Sequence, residues 1–535
     1  MKTIRMLALL LALCLLLPML FACGGENGGG TRAEGDQPSG TTQPGAAAKP
    51  GDTKPPQADF GNEQLIINVS VAVNTEQTFG AADIYSRGPA TYGQAADSVQ
   101  QLVFNRNKKL ATDLGLKVTW QETNEPVGSC YDVIEKFVQN NPENSPDVFI
   151  NDIRDVARAM LTGALKNLIG GKDNHLDFSA EGWYLSYMEG TTLDQEKMYI
   201  MAGDYFLDLL RYAFVTYVNR DLFEERLASF FTVSELYEYA KDGWWDYYQM
   251  QYLIEKGSDV KGGSQKGQAD EDDAVIGLVM TQLFERAMTW SSGLSIVEWK
   301  DENGKVDPDL KYRGTPAIIA GPGKYSVLHD NFFDLFRAEG AYYLSSDISR
   351  AVTLFLSDRV LFVVNMLGEM ESPQVRESEI SRGVLPLPKY DYEAQEAYQT
   401  LIHNQAEIGC ILANTRNFPA ATAYMQAANT TSAEIQVEYY EQSLKLRYNE
   451  DLDTQDMLDL VKEGITDPFD SLLARLLCFG DRYLPGAPYQ GVEIYTIIAD
   501  DAKKNTNNFS STWDKHEDGW RLNLNHLVGI FEKLK

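Results

Sequence analysis

Residues Lys197 to Phe223 read KMYIMAGDYFLDLLRYAFVTYVNRDLF, and the organisation of the chain turns on them. A short apolar run, Met198 to Ala202, stops at Gly203-Asp204. A β-rich segment, Tyr212 to Val218, follows and meets Asn219-Arg220-Asp221, a turn that opens a helical pattern. Two β-like runs joined through Gly-Asp form either a hairpin or a strand that leaves one sheet for another. The second reading is adopted, because the chain on each side carries its own α/β pattern. A junction between two such bodies is where a ligand cleft would lie.

Upstream, Leu65 to Val71 (LIINVSV) is a strand, and Asn74 to Ala96 is a polar loop. Ser98 to Leu114 places Val99, Leu102, Val103, Leu110 and Leu114 near a 3.6 period, so it reads as an amphipathic helix, ended by Gly115. Leu116 to Trp120 is the next strand and Tyr131 to Gln139 a helix. Asp147 to Ile150 is a short apolar run of the kind buried in parallel sheets, and Asp155 to Leu165 is helical. The alternation predicts a doubly wound sheet with helices on both faces.

The 535 residues allow two or three domains with an ample core. A formal charge of −30 repels phosphate backbones, which argues against nucleic acid as a partner. Lys2 and Arg5 precede an apolar run, Met6 to Phe21, too short for a comfortable membrane span. Leu20-Phe21-Ala22-Cys23-Gly24 then resembles the lipobox of bacterial lipoproteins, which implies cleavage before Cys23 and acylation of that residue. More than one acyl chain makes such an anchor firm. Residues 23–60 have almost no large apolar side chain and read as a disordered tether. Cys130, Cys410 and Cys478 lack metal-ligand spacing and read as buried free thiols, with at most one pair among them.

Taken in order, DLGLKVTW, SPDVFINDI, Gly163 to Leu168, KMYIMAG, YVNRDLF and Gly383-Val384-Leu385-Pro386-Leu387-Pro388-Lys389 resemble the extracellular solute-binding proteins of bacterial ABC importers, family 1-like. The resemblance covers residues 62–535 and rests on the order of the motifs rather than on any one. Val218 interrupts the family's Tyr-Asn pair, and Met366-Leu367-Gly368 stands where its cleft aromatic would be. The resemblance implies an α/β fold of the type II periplasmic-binding-protein kind, two lobes joined by multiple hinge crossings. Residues 1–22 would be the signal peptide, 61–203 with about 400–432 the first lobe, and 204–399 with about 433–535 the second. Crossings are expected near Ala202-Asp204, Tyr398-Ile402 and Thr430-Glu434.

Chemistry is sparse. There is no Gly-x-Ser-x-Gly elbow, P-loop or HExxH, the five histidines are scattered and read as surface or capping groups, and no cofactor or metal is implied. Asp301-Glu302-Asn303-Gly304 reads as the turn of a hairpin spanning Ser295 to Lys311 rather than as a calcium loop. A binder needs polar groups that replace the ligand's water and aromatic faces that cover ring surface. Loops after strand C-termini nominate Asn74, Thr75, Asn151, Asp152, Asp204 and Tyr205, and from the second lobe Trp290, Asn365 and Glu369. The expected protein is a lipid-anchored monomer on the extracytoplasmic face of the cell membrane. It would capture a small sugar-like solute by hinge closure and pass it to an ABC permease. The alternatives are a tethered glycan-processing enzyme, or a solute sensor or adhesin on the same fold. Cells expressing the full chain and fed labelled palmitate should yield labelled protein in the membrane fraction. Cys23→Ser should yield none; label persisting in that variant would dismiss the anchor.

Overall fold

The computed structural model describes residues 58–70, 98–125, 128–261, 269–318, 321–439, 452–465, 467–478 and 480–534. Cys23, Asn74, Thr75, the signal segment, almost all of the tether and the expected loop from Asn74 lie outside them.

Among the described residues there are two main sheets. The first has order β11-β3-β1-β2, from β1 (Glu63–Ser70), β2 (Leu116–Thr123), β3 (Val148–Asp152) and β11 (Glu407–Ile411). The second has order β10-β4-β9-β5-β8, from β4 (Phe214–Asn219), β5 (Ile276–Met280), β8 (Ala341–Tyr343), β9 (Val360–Met366) and β10 (Arg382–Leu385). The two sheets repeat one plan. Three strands run parallel, the first in sequence lying centrally, and a strand from the far side of a crossing adds antiparallel to the third. The fold is of the expected mixed α/β class.

Burial on both faces explains the sequence of the inner strands. Every residue of β3, β5 and β9 is buried, so each reads as a continuous apolar run instead of alternating. The helix Ser98–Asp113 covers the first sheet, and Gly115 ends it at φ +59, where a side chain would meet the Asp59 carboxyl. Thr232 and Glu235 form a reciprocal capping box at the helix Val233–Lys241.

Residues 198–202 lie along β11, with Met201 and Gly409 exchanging backbone hydrogen bonds at 2.7 and 3.0 Å. The chain then enters the second sheet as β4. The Gly203-Asp204 junction therefore does lead from one sheet to the other. The return passes through Thr400 to Ala406, where Phe214 N donates to Leu401 O and His403 N to Tyr212 O, both at 2.9 Å. Around the third expected crossing, the helix Ala433–Glu438 packs on Ser98–Asp113, whereas Leu452–Glu463 packs on Val233–Lys241 and β10. Residues 440–451, between these helices, lie outside the described residues.

The expected 295–311 hairpin forms in its first part: Asp301 N donates to Lys305 O at 2.8 Å and Asp307 N to Trp299 O at 3.0 Å, and Lys300 bridges Val306. The longer partner of β6 (Val297–Lys300) is β7 (Thr315–Ile318). Pro308 offers no N–H to a ladder and opens a 3-10 turn capped by Asp307, which carries the chain away before it returns. The histidine reading holds for neither His329 nor His403, which are buried. Their rings pack on aromatic neighbours, His329 on Phe509 and His403 on Tyr212, contacts that no local pattern announces.

A Cβ on Gly409 would come within 2.6 Å of the Phe206 ring. Gly409→Val should therefore cost about 1–3 kcal/mol by overpacking, read as a lower urea midpoint. An unchanged midpoint would show that this close approach does not constrain the crossing.

Candidate functional site

The candidate site is the seam where the crossings meet the C-terminal end of β3. Asp152 ends that strand in extended conformation and caps the helix Ile153–Leu161, accepting from Arg154 N at 3.1 Å and Asp155 N at 3.2 Å. Asn151 accepts from Asp152 N at 2.8 Å. Opposite them in β11 are Ile408 and Glu407, and Ile153 N donates to Ala406 O at 3.1 Å. The helix start is thus clamped to the second crossing.

The helix Gln282–Trp290, packed on β9 and β5 of the second sheet, brings in Arg286, whose Nη1 lies 2.8 Å from His403 Nε2. A guanidinium only donates, so Nε2 accepts and the ring proton is on Nδ1. His403 is held by stacking on Tyr212 and by the edge of Phe214. The C-terminal helices supply Arg475, Glu493 and Tyr495, with Arg286 over the Tyr495 ring at 5.7 Å. Burial pulls Arg475 below the usual guanidinium range and the charges of Arg286 and Arg154 add to that, while Glu493 opposes it. Burial likewise raises the Glu493 carboxyl, against the pull of Arg475 and Arg286. Arg475 thus lies buried within electrostatic reach of both Arg286 and Arg154.

Several atoms here have unmet hydrogen-bonding capacity. Arg154 Nη2, both Glu493 carboxylate oxygens, Asn404 Oδ1 and Gln405 Oε1 are buried without a hydrogen-bond partner among the described residues. Each such atom costs on the order of 1–3 kcal/mol, so a ligand or ordered water that supplied partners would be favoured.

Next along the same helix and crossing lies a cavity of about 170 Å³ lined by Tyr187, Trp290, Lys311, Gln399, Thr400 and Asp470, among others. Trp290 Nε1, Tyr187 Oη and Thr400 Oγ1 have no partner among the described residues. Asp470 accepts from Ser295 Oγ at 2.6 Å and Ile296 N at 3.0 Å. Burial pushes its carboxyl up to about 7, with Ser295 opposing. Larger recesses of about 580 and 750 Å³ run along the end of the C-terminal helix Phe509–Phe531 and include no residue of the 399–407 crossing.

Of the nominated residues, Asn151 and Asp152 belong to the seam, and Trp290 borders the cavity. The others are placed differently. Asp204 accepts from Tyr184 Oη at 3.1 Å, and its carbonyl accepts from Gln436 Nε2 at 3.1 Å. Tyr205 N donates to Asn429 Oδ1 at 3.1 Å, and its ring lies 4.5 Å beneath Arg106. Asn365 pairs with Val215 inside the second sheet and accepts from Met366 N at 2.8 Å, and Glu369 is buried in the turn Leu367–Glu371. Sequence reasoning missed Arg154, Arg286, His403, Arg475 and Glu493. The three thiols are buried and free, as expected.

No protein-family model matches the chain, and no curated protein matches it. Among solved structures, the GacH receptor of Streptomyces glaucescens GLA.O, solved unliganded and with acarbose and an acarbose homolog, is similar over 88% of this chain and 100% of its own. The identity is 14% and the TM-score 0.46.

Asp155 gives the seam a pH dependence. Its Oδ2 accepts from Gly128 N at 2.9 Å and Cys130 N at 3.1 Å. Burial, then the charge of Asp152, pushes it up to about 8. An unfolded aspartate releases its proton near 4, so in the window between, the native state holds one more proton. That contribution falls by about 1.4 kcal/mol per pH unit as pH rises. Asp155→Asn should flatten the decline in urea-unfolding stability between pH 5 and 8, and parallel profiles for the two proteins would contradict the assignment.

Proposed function

We propose that this chain is a lipid-anchored extracytoplasmic solute-binding protein that grips a small hydroxylated solute, a sugar or oligosaccharide, between its lobes. The observation that supports this most is the seam itself. Two sheets of matching plan are joined by crossing segments, and side chains from both lobes turn buried polar atoms with unmet capacity toward that junction. A solute that supplies the missing partners lowers the free energy of the closed arrangement relative to an open one, and closure of the hinge type follows. The reading assigns energy supply to a partner permease and its ATPase, because the chain has no phosphate-cradling loop. It places the protein outside the cytoplasmic membrane, held by acyl chains on Cys23 and lifted on the 23–60 tether. Its action is binding and release, with no chemical step.

Isothermal calorimetry of the full chain against mono- and oligosaccharides, peptides and polyamines tests this directly. One class should bind saturably, and the ligand should be recovered unaltered. Arg154→Gln should weaken that binding by roughly 10- to 100-fold, the worth of a charged hydrogen bond in a buried site. Steady release of a cleaved product, or no saturable binding by any class, would overturn the proposal.

A further inference from the structure

We infer that the recess of about 750 Å³ beside the C-terminal helix seats the headgroup of an anionic phospholipid at the surface of the membrane that holds the chain. The inference rests on the lipid-anchored reading above and adds to it which face of the protein meets the lipid.

The recess is apolar with a cationic rim. Ile169, Phe418, Ile530 and Leu534 line it together with Lys166 and Lys533. Ile169 is 38% exposed, and both lysines are exposed. Lys166 Nζ lies 5.6 Å from the centre of the Phe418 ring, and neither lysine has an ion pair among the described residues. Gly163 and Gly170, at φ +75 and +72, have open space where a side chain would stand, so neither narrows the entrance.

Charge sets this face apart. The chain carries 77 acidic against 47 basic residues, yet no Asp or Glu lines this recess. The acids of the adjoining segments, Asp194, Glu196 and Glu532, line the neighbouring recess of about 580 Å³ instead. An anionic bilayer repels most of so acidic a surface and admits it here, where each lysine near the lipid is worth about fivefold in binding. The apolar lining receives the glycerol and upper acyl carbons that a free phosphate lacks.

The anchor turns the same face toward the lipid. Phe60, near the start of the described body, packs against His175 with ring centres 6.1 Å apart. His175 stands four residues from Gly171, which lines the recess, at most about 14 Å of chain. A flexible chain as long as that from Cys23 to Phe60 spans about 30–35 Å root-mean-square. Such a tether gives the recess an effective concentration on the order of millimolar at the bilayer. A contact too weak to recruit a free protein is therefore populated by a tethered one.

The test uses the acylated full chain on vesicles of equal parts phosphatidylglycerol and phosphatidylcholine, with a headgroup-nitroxide lipid as quencher. A fluorophore on Ile169→Cys reports the recess, and the same fluorophore on Glu255→Cys is the control. The Ile169→Cys label should be quenched more than the control, and more than on pure phosphatidylcholine. Lys166→Gln and Lys533→Gln should each lower the ratio of docked to undocked protein roughly fivefold, at unchanged melting temperature. Equal quenching at the two positions, or quenching indifferent to phosphatidylglycerol and to both lysine variants, would overturn the proposal. So would calorimetric binding of inorganic phosphate without quenching on the vesicles, which would make the recess a site for a free anion. Vesicle flotation, scored first, keeps the two readings apart. Flotation without quenching loses the recess alone, whereas absence of flotation removes the anchor and this inference with it.

Discussion

The constraint on which the structure depends is the antiparallel capture of a crossing strand by each sheet. β11 closes the first sheet on β3, and β4 adds to β9 in the second. Each of these pairings satisfies a ladder of backbone groups that would otherwise be buried without partners. Because each captured strand has arrived by a crossing, neither sheet is complete without the segments that join them. The bonds from Met201 to Gly409 and from Phe214 to Leu401 then hold the first two crossings beside the sheets they serve.

That arrangement explains why polar groups concentrate at the seam. Strand C-termini and the following helix starts point there, so capping groups such as Asp152 arrive by geometry alone. Arg211 shows the opposite, fully satisfied case: it forks onto Glu371 at 2.8 and 2.9 Å and reaches Asp208 at 3.1 Å, tying the first crossing to the end of β9. A buried guanidinium with that many partners rigidifies its surroundings. Arg154 differs, since one of its terminal nitrogens has none among the described residues. The contrast separates a structural ion cluster from a site with capacity to spare.

Much of the fold was legible because it is written locally. β3 was visible as DVFI, the helix Ser98–Asp113 by its period, and the capping box at Thr232 by its spacing. The junction at Gly203-Asp204 was legible because both flanking runs were strand-like while neither side needed the other for its pattern. Pairings set by distant partners were not: β6 also takes β7 as a partner across Pro308. The candidate site was legible in the same measure. Asn151 and Asp152 follow from the rule about strand ends. Arg475, Glu493 and Thr400 reach the seam through tertiary packing, and their neighbours in sequence say nothing of one another.

The central claim is that two lobes close on a solute about these crossings. Gln139 and Glu255 are surface positions on the helices Cys130–Asn140 and Tyr247–Gly257. The thiols Cys130, Cys410 and Cys478 are buried, so with Cys14 and Cys23 replaced by serine, cysteines introduced at 139 and 255 would be labelled selectively. The spin–spin distance between labels there, measured with and without a bound sugar, is the most direct test. The account predicts a shorter and narrower distance distribution on binding; superimposable distributions at saturating ligand would contradict it.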